Sequence, residues 1–332
     1  MNISDLVNPY SYIMQLRRLL YKKGIIKSES VSIPVISIGN LSMGGTGKTP
    51  ITLYLAKYCI TPLGKKTAIV LRGYKRNSSG YLLVSNAEHI LENVERSGDE
   101  AQLYAQGLPG AIVICDEDRV RGAKKAVALG AEIILLDDGF QHLRLKRDLN
   151  ILLINSDEGI PSVLPFGKGR EPASAIGDAD IIIGTGSEEM QRGICTRSII
   201  GLIGLYKSDG SYTESSVEIF QGKKILALSG IAHPERFLKS FGPNTQSLVS
   251  YSLQDHVDYN LELLGKIIVK AKSENCEMIA TTTKDAVKML NLYRAMQQKD
   301  ASIPPLAIVH SEIKFTAGKE LLFSKIDDLF KK

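Results

Sequence analysis

The chain has 332 residues, with 41 Lys+Arg against 36 Asp+Glu, so its formal net charge is +5. Hydrophobic residues make up 44% and charged residues 23%, which excludes a disordered chain, a fibrous protein and a small disulfide scaffold. The length argues for about two domains.

Cys59, Cys115, Cys195 and Cys276 are far apart and form no C-x-x-C pair. This argues against a structural zinc site and fits a reducing compartment. The positive excess is mild and forms no basic stripe, so no nucleic-acid partner is expected, while anionic substrates or anionic lipid are compatible with it. No run of about 18 apolar residues is present, which predicts no ordinary transmembrane helix. The first residues also lack the order of a signal peptide.

Residues 11–23 read as a helix. Tyr12, Ile13, Leu16, Leu19 and Leu20 recur at three- and four-residue spacing, while Gln15, Arg18 and Lys22 fall opposite. Gly24 suits the stop, and Lys22 and Lys23 suit the negative end. Two readings stand: a surface helix packed by its apolar face on the core, or a basic amphipathic helix at a membrane surface.

Beyond it, apolar runs at 35–38, 67–71, 111–114, 132–136, 150–154 and 180–183 predict strands. They lack polar alternation, as in a parallel sheet covered on both faces. Helical patterns at 51–57 and 121–129 lie between them, giving the order of a doubly wound α/β sheet. Two extended runs, 198–206 and 211–219, flank the turn signal Ser208-Asp209-Gly210 and predict a two-stranded connector. Further runs at 225–228, 247–250, 278–281 and 306–309 predict a second, smaller α/β domain. The expected division is 1–190, a P-loop-type core of mostly parallel sheet; 191–222, a two-stranded β linker; and 223–332, the smaller domain.

The first strand runs into GNLSMGGTGKTP, residues 39–50, and then a helical pattern. Strand, glycine-rich turn and helix start are the context of a Walker A loop. Gly44, Gly45, Thr46 and Gly47 would let backbone N–H groups converge on phosphate, beside the positive end of the helix. Lys48 would reach the β- and γ-phosphates of ATP, and the Thr49 hydroxyl would ligate Mg²⁺. Ser42 stands where the usual pattern opens with glycine.

The run at 133–136 ends in Asp137 and Asp138, the Walker B arrangement, so both are candidate Mg²⁺ ligands. One of the two could instead cap a helix or sit in a turn, and His142, shortly after, could be a ligand contact or a buried structural residue. Asp99 precedes a helical run at 101–106, and its position alone suits a helix cap.

In order along the chain stand GNLSMGGTGKTP, LRGYKR at 71–76, SGDE at 97–100, DDGFQH at 137–142, LPFGKGRE at 164–171, GIAHPERF at 230–237, DHVDY at 255–259 and TTKD at 282–285. This series resembles the tetraacyldisaccharide 4'-kinases, the lipid A 4'-kinases. The resemblance implies ATP- and Mg²⁺-dependent phosphorylation of the 4'-hydroxyl of a tetraacylated glucosamine disaccharide 1-phosphate, giving lipid IVA. It implies action at the cytoplasmic face of a Gram-negative inner membrane, with no obligatory protein partner. It also implies that Asp99 acts as the base and that His256 pairs with it. An acceptor already carrying a phosphate needs cations, for which Arg72, Arg119 and Arg170 are candidates. His142 and Glu171 are further candidate substrate contacts.

The main rival is a deviant Walker A ATPase switch, which carries lysine just before the paired glycines. Met43 holds that place here. A GTPase would need [NT]-K-x-D, and Thr283-Lys284-Asp285-Ala286 puts the acid one residue early.

Overall fold

The computed structural model describes residues 8–186, 194–209, 211–231, 233–241, 245–255 and 257–331, the side chains at 197–200 and 202 excepted. The chain forms two compact units: Met1–Ser198 with Ile313–Lys332, and Ile199–Glu312.

In the first unit the order is α1 (Pro9–Lys22), β1 (Val35–Asn40), α2 (Lys48–Ile60), β2 (Thr67–Leu71), β3 (Leu82–Asn86), α3 (Val94–Ser97), α4 (Asp99–Gly107), β4 (Ile112–Cys115), α5 (Arg119–Ala128), β5 (Ile133–Asp137), β6 (Leu149–Asn155) and β7 (Ile181–Thr185). The sheet runs β7-β6-β1-β5-β2-β4-β3. All neighbours are parallel except β3, which lies antiparallel on β4 at the edge. In register, β1 sits between β5 and β6, with Ile36 opposite Leu135 on one side and Leu149 on the other. Alternate strand residues feed two cores: Ile36, Ile69, Val113 and Leu135 lie with α2 and α4, and Val35, Val70, Ile114 and Leu136 lie with α5. Both faces are covered, which is why the strands read as unbroken apolar runs.

The next strand, β8 (Ile194–Tyr206), begins parallel to β7 and ends in the second unit, where β9 (Tyr212–Ser215) pairs antiparallel with it. That unit continues with β10 (Lys224–Ser229), α6 (Pro234–Ser240), β11 (Ser247–Ser252), α7 (Leu261–Ser273), β12 (Met278–Thr282), α8 (Thr283–Lys299) and β13 (Leu306–Ala317). Its strand order is β11-β10-β12-β13-β8, with β9 on β8. β13 carries the chain back to the first unit, which α9 (Lys319–Asp327) completes.

Two expectations are corrected. The run 211–219 is not one strand: β9 is short, and a 3₁₀ turn, Val217–Phe220, follows it. The turn drops Phe220 into the core against Phe241, with ring centroids 5.0 Å apart. Nor does the second unit extend to the chain's end. Leu322 and Ile326 of α9 are buried with the apolar residues of α2, Phe323 stacks on Tyr58 at 3.9 Å, and Tyr58 donates to Asp327.

The first helix departs furthest from expectation. It starts earlier than its apolar spacing suggests, because Asn8 accepts a hydrogen bond from the Tyr10 N–H as N-cap and Pro9 occupies the first turn. It docks by its polar face: Ser11 and Arg18 are buried, while Tyr12 (55% exposed), Ile13 (59%), Leu16 (55%) and Leu19 (45%) face outward. The reading in which the apolar face packs on the core is therefore overturned. No helix among the described residues is long and apolar enough to cross a membrane.

Candidate active site

The glycine loop leaves β1 at Asn40 and enters α2 at Lys48. Gly47 takes a left-handed φ of 84° just before the helix, a conformation that disfavours any side chain. At the root of the loop, a Cβ on Gly39 would fall 2.6 Å from the Phe140 Cβ, so this glycine lets the two segments close on each other. The loop is braced from both sides. The Thr185 hydroxyl donates to the Thr46 carbonyl (2.8 Å), and the Met43 N–H donates to the Lys168 carbonyl (2.8 Å). The first N–H groups of α2 have no intrahelical partners and offer an anion cradle.

Asn40, which sequence reasoning missed, joins these parts. Its buried amide donates to Thr46 Oγ1 (2.9 Å) and accepts from Lys48 Nζ (3.2 Å) and Arg170 Nη2 (2.7 Å). The available signal was a polar residue closing an apolar strand immediately before the loop.

Asp137 and Asp138 lie at the end of β5, beside β1, but in different states. Asp137 is buried; its Oδ1 accepts from the Asp138 N–H (2.9 Å) and its Oδ2 from the Tyr104 hydroxyl (2.9 Å). Burial, with Glu100 and Asp138 nearby, pushes its carboxyl up to about 7. Asp138 adopts a left-handed φ of 51° that turns its side chain toward the loop. Arg170 grips it through its two terminal guanidinium nitrogens, Nη1 to Oδ2 (2.8 Å) and Nη2 to Oδ1 (2.7 Å), and Lys48 stands 3.4 Å away. Partial burial works against its charge, but the Arg170 and Lys48 cations prevail and hold it well below the usual carboxylate range. Asp138 is thus the ionised member of the pair and Asp137 the protonatable one.

Asp99 does not cap α4. Gly98, at a φ of 81°, holds the cap position without a side-chain bond, and Asp99 is the first helical residue. Glu100, next to it, is close enough to Asp137 to raise its pKa, and Tyr104, one turn on, bonds it directly. So α4 brings Glu100 and Tyr104 to the end of β5. Arg119 is buried at the start of α5, with Arg72 and the acidic pair in its field. His142 is half-buried, and burial with Arg119, Arg144 and Arg147 lowers it to about 4, so it is neutral at pH 7. Glu171 is buried, and its Oε2 accepts from Arg18 Nε (2.8 Å). Arg18 in turn, on the face opposite the apolar residues, is only 8% exposed. His256 lies outside the described residues, so its pairing with Asp99 stays an expectation.

Among the described residues no group of three or more His, Cys, Asp or Glu could hold a metal ion alone. Mg²⁺ needs no such cage where phosphate and water supply most of its ligands, so the Thr49 hydroxyl with Asp138 or Asp137 suits it.

A parallel sheet whose central strand feeds a glycine loop, a lysine-opened helix and an adjacent acid-ended strand defines a P-loop nucleotide-binding protein. Residues 4–331 match the family described as Tetraacyldisaccharide-1-P 4'-kinase, LpxK. Two curated relatives bear the name tetraacyldisaccharide 4'-kinase. That from Desulfotalea psychrophila is 38% identical over 84% of this chain and 85% of its own, and that from Aquifex aeolicus is 35% identical over 85% and 88%. A solved structure, LpxK from Aquifex aeolicus in complex with ATP, superposes with a TM-score of 0.73 at 31% identity, covering 97% of this chain and 96% of that one. The chain belongs to the tetraacyldisaccharide 4'-kinase family and is an ATP-dependent kinase.

Proposed function

We propose that the chain transfers the γ-phosphate of ATP, bound with Mg²⁺, to the 4'-hydroxyl of a tetraacylated glucosamine disaccharide 1-phosphate at a membrane surface. The observation that carries this reading is the convergence of Lys48, Asn40, Asp138 and Arg170 at the mouth of the glycine loop. Phosphoryl transfer asks the protein mainly for alignment and charge neutralisation. The loop N–H groups and Lys48 would hold the phosphates. Thr49 and Asp138 would hold the metal, which neutralises phosphate charge when bound. Asp99 would accept the acceptor hydroxyl proton, with His256 orienting it. Arg72 and Arg119 add cations for a second phosphate.

The outward apolar face of α1 supports a peripheral position on the bilayer, where a four-chain lipid resides. The supply of ATP favours the cytoplasmic face of the inner membrane. The ATPase-switch alternative lacks its signature lysine, Met43 holding that position. Incubation with γ-labelled ATP and the disaccharide 1-phosphate tests the proposal: label should move to lipid. Label released to water, with none on lipid, would overturn it.

A further inference from the structure

We infer that Arg18, on the membrane-facing helix α1, is a positioning residue for phosphoryl transfer, because it ties the segment carrying Asp138 to the segment carrying Arg170. Its Nε donates to Glu171 Oε2 (2.8 Å) and its Nη1 to Asp178 Oδ2 (2.6 Å). Its guanidinium also lies 4.7 Å from the centroid of the Phe140 ring, with Nη2 directed at the Phe140 carbonyl (3.5 Å). Glu171 is the chain neighbour of Arg170, and Phe140 follows Asp138 by two residues. One buried cation therefore spans the backs of the two segments whose fronts meet in the Asp138–Arg170 pair.

The rest of the polar face of α1 reinforces the same two segments. Arg17 Nη2 donates to the Gln141 carbonyl (2.9 Å), Tyr10 Oη to the Arg170 carbonyl (2.9 Å) and Asn8 Nδ2 to the Leu164 carbonyl (2.8 Å). Phe140 is fully buried, and its backbone and Cβ lie against Gly39 at the root of the glycine loop, so a shift of Phe140 reaches the loop itself. A helix serving only as an anchor needs no buried arginine at this place. The cost of burying Arg18 is offset only while both acidic partners and the aromatic face are in position. The seat of α1 and the spacing of Asp138 from Arg170 are therefore one geometric condition.

The test is steady-state kinetics of the full chain carrying Arg18→Ala, Arg170→Ala and both, with co-sedimentation on phosphatidylglycerol vesicles. Arg18→Ala should lower kcat by about ten- to a hundredfold, the cost of misplacing reacting groups by about an ångström. It should also raise the Mg²⁺ concentration for half-activity in the direction Arg170→Ala does. Vesicle binding should be unchanged, since the outward face of α1 is intact. The double variant should lose no more than Arg170→Ala alone, because the two act as a unit.

If Arg18→Ala does not fold, Arg18→Lys decides: a single ammonium keeps the charge but cannot serve Glu171, Asp178 and Phe140 together, so the same kcat loss is expected. Losses that multiply in the double variant, or a normal kcat with vesicle binding lost, would overturn the inference. It rests on the proposed role of Arg170, and the two fail differently. A normal kcat in Arg170→Ala removes that role, whereas an Arg170 defect beside a normal Arg18 variant removes only the tie.

Discussion

Replacing Ile13, Leu16 and Leu19 together by serine should detach the protein from bilayers without weakening its fold. The three side chains are 59%, 55% and 45% exposed, so together they offer about one and a half side chains' worth of apolar surface. Full burial of an aliphatic side chain is worth about 1.5–3 kcal/mol, which puts the total near 3 kcal/mol. That corresponds to about a hundredfold in partitioning at about 1.4 kcal/mol per decade. The polar face that seats α1 (Asn8, Ser11 and Arg18) is untouched. The unfolding free energy should therefore stay within about 1.5 kcal/mol of the parent for the three, about 0.5 kcal/mol per substitution. Flotation on anionic vesicles, read with a melting curve, is the assay. Unaltered flotation would refute the membrane role of this face. A lowered melting temperature would mean that these side chains stabilise the folded protein itself.

Lys48→Ala should abolish transfer with a native circular-dichroism spectrum, since the ammonium contributes several kcal/mol at the developing phosphate charge; near-normal turnover would sink the phosphate-loop assignment. The two β5 acids should separate in a Mg²⁺ titration, Asp138→Asn shifting the half-activity point further than Asp137→Asn, and a shift in neither would make the pair structural. Because burial raises Asp137 to about 7, its folding contribution is full below the unfolded value and fades as pH rises through about 7. The stability of Asp137→Asn relative to the parent should accordingly increase from pH 5 to pH 8, and a flat difference in urea melts would contradict the protonated state. Asp99→Asn should lower kcat by about 10²–10⁴-fold with ATP binding retained, and combining it with His256→Ala should cost less than the product of the two; fully multiplicative losses would count against a dyad.

The strands of the parallel sheet could be placed from sequence to within a residue or two, because burial on both faces makes them mostly apolar, with most of the polar residues near their ends. The edge strand β3 escaped notice although Leu82, Leu83 and Val84 are apolar: the run is short, gives way at once to Ser85 and Asn86, and pairs antiparallel with β4 at the edge. The strand–glycine turn–helix arrangement was legible because glycine and a helix start are demanded locally. The surroundings of Arg18 were not legible, because periodicity reports which residues share a helix face, not which face meets the protein. Its partners Glu171 and Asp178 lie more than 150 residues away, beyond any local pattern. Asn40 and the contrast between Asp137 and Asp138 depend on a turn of backbone and on neighbours from three other segments, which spacing alone does not encode.

The return of the chain to its first unit has a consequence for synthesis. Ile199–Glu312 is an unbroken stretch and can gather its own strands as soon as it leaves the ribosome, whereas the first unit must wait for residues 313–332. Until then the aromatic face of α2, Tyr54 and Tyr58, lacks Phe315 and Phe323, which cover it in the finished fold. The helix that opens with Lys48 thus gains its final support from residues made only after the whole second unit. A nascent or prematurely stopped chain would carry every residue of the glycine loop and still lack the backing that holds the loop's helix in place.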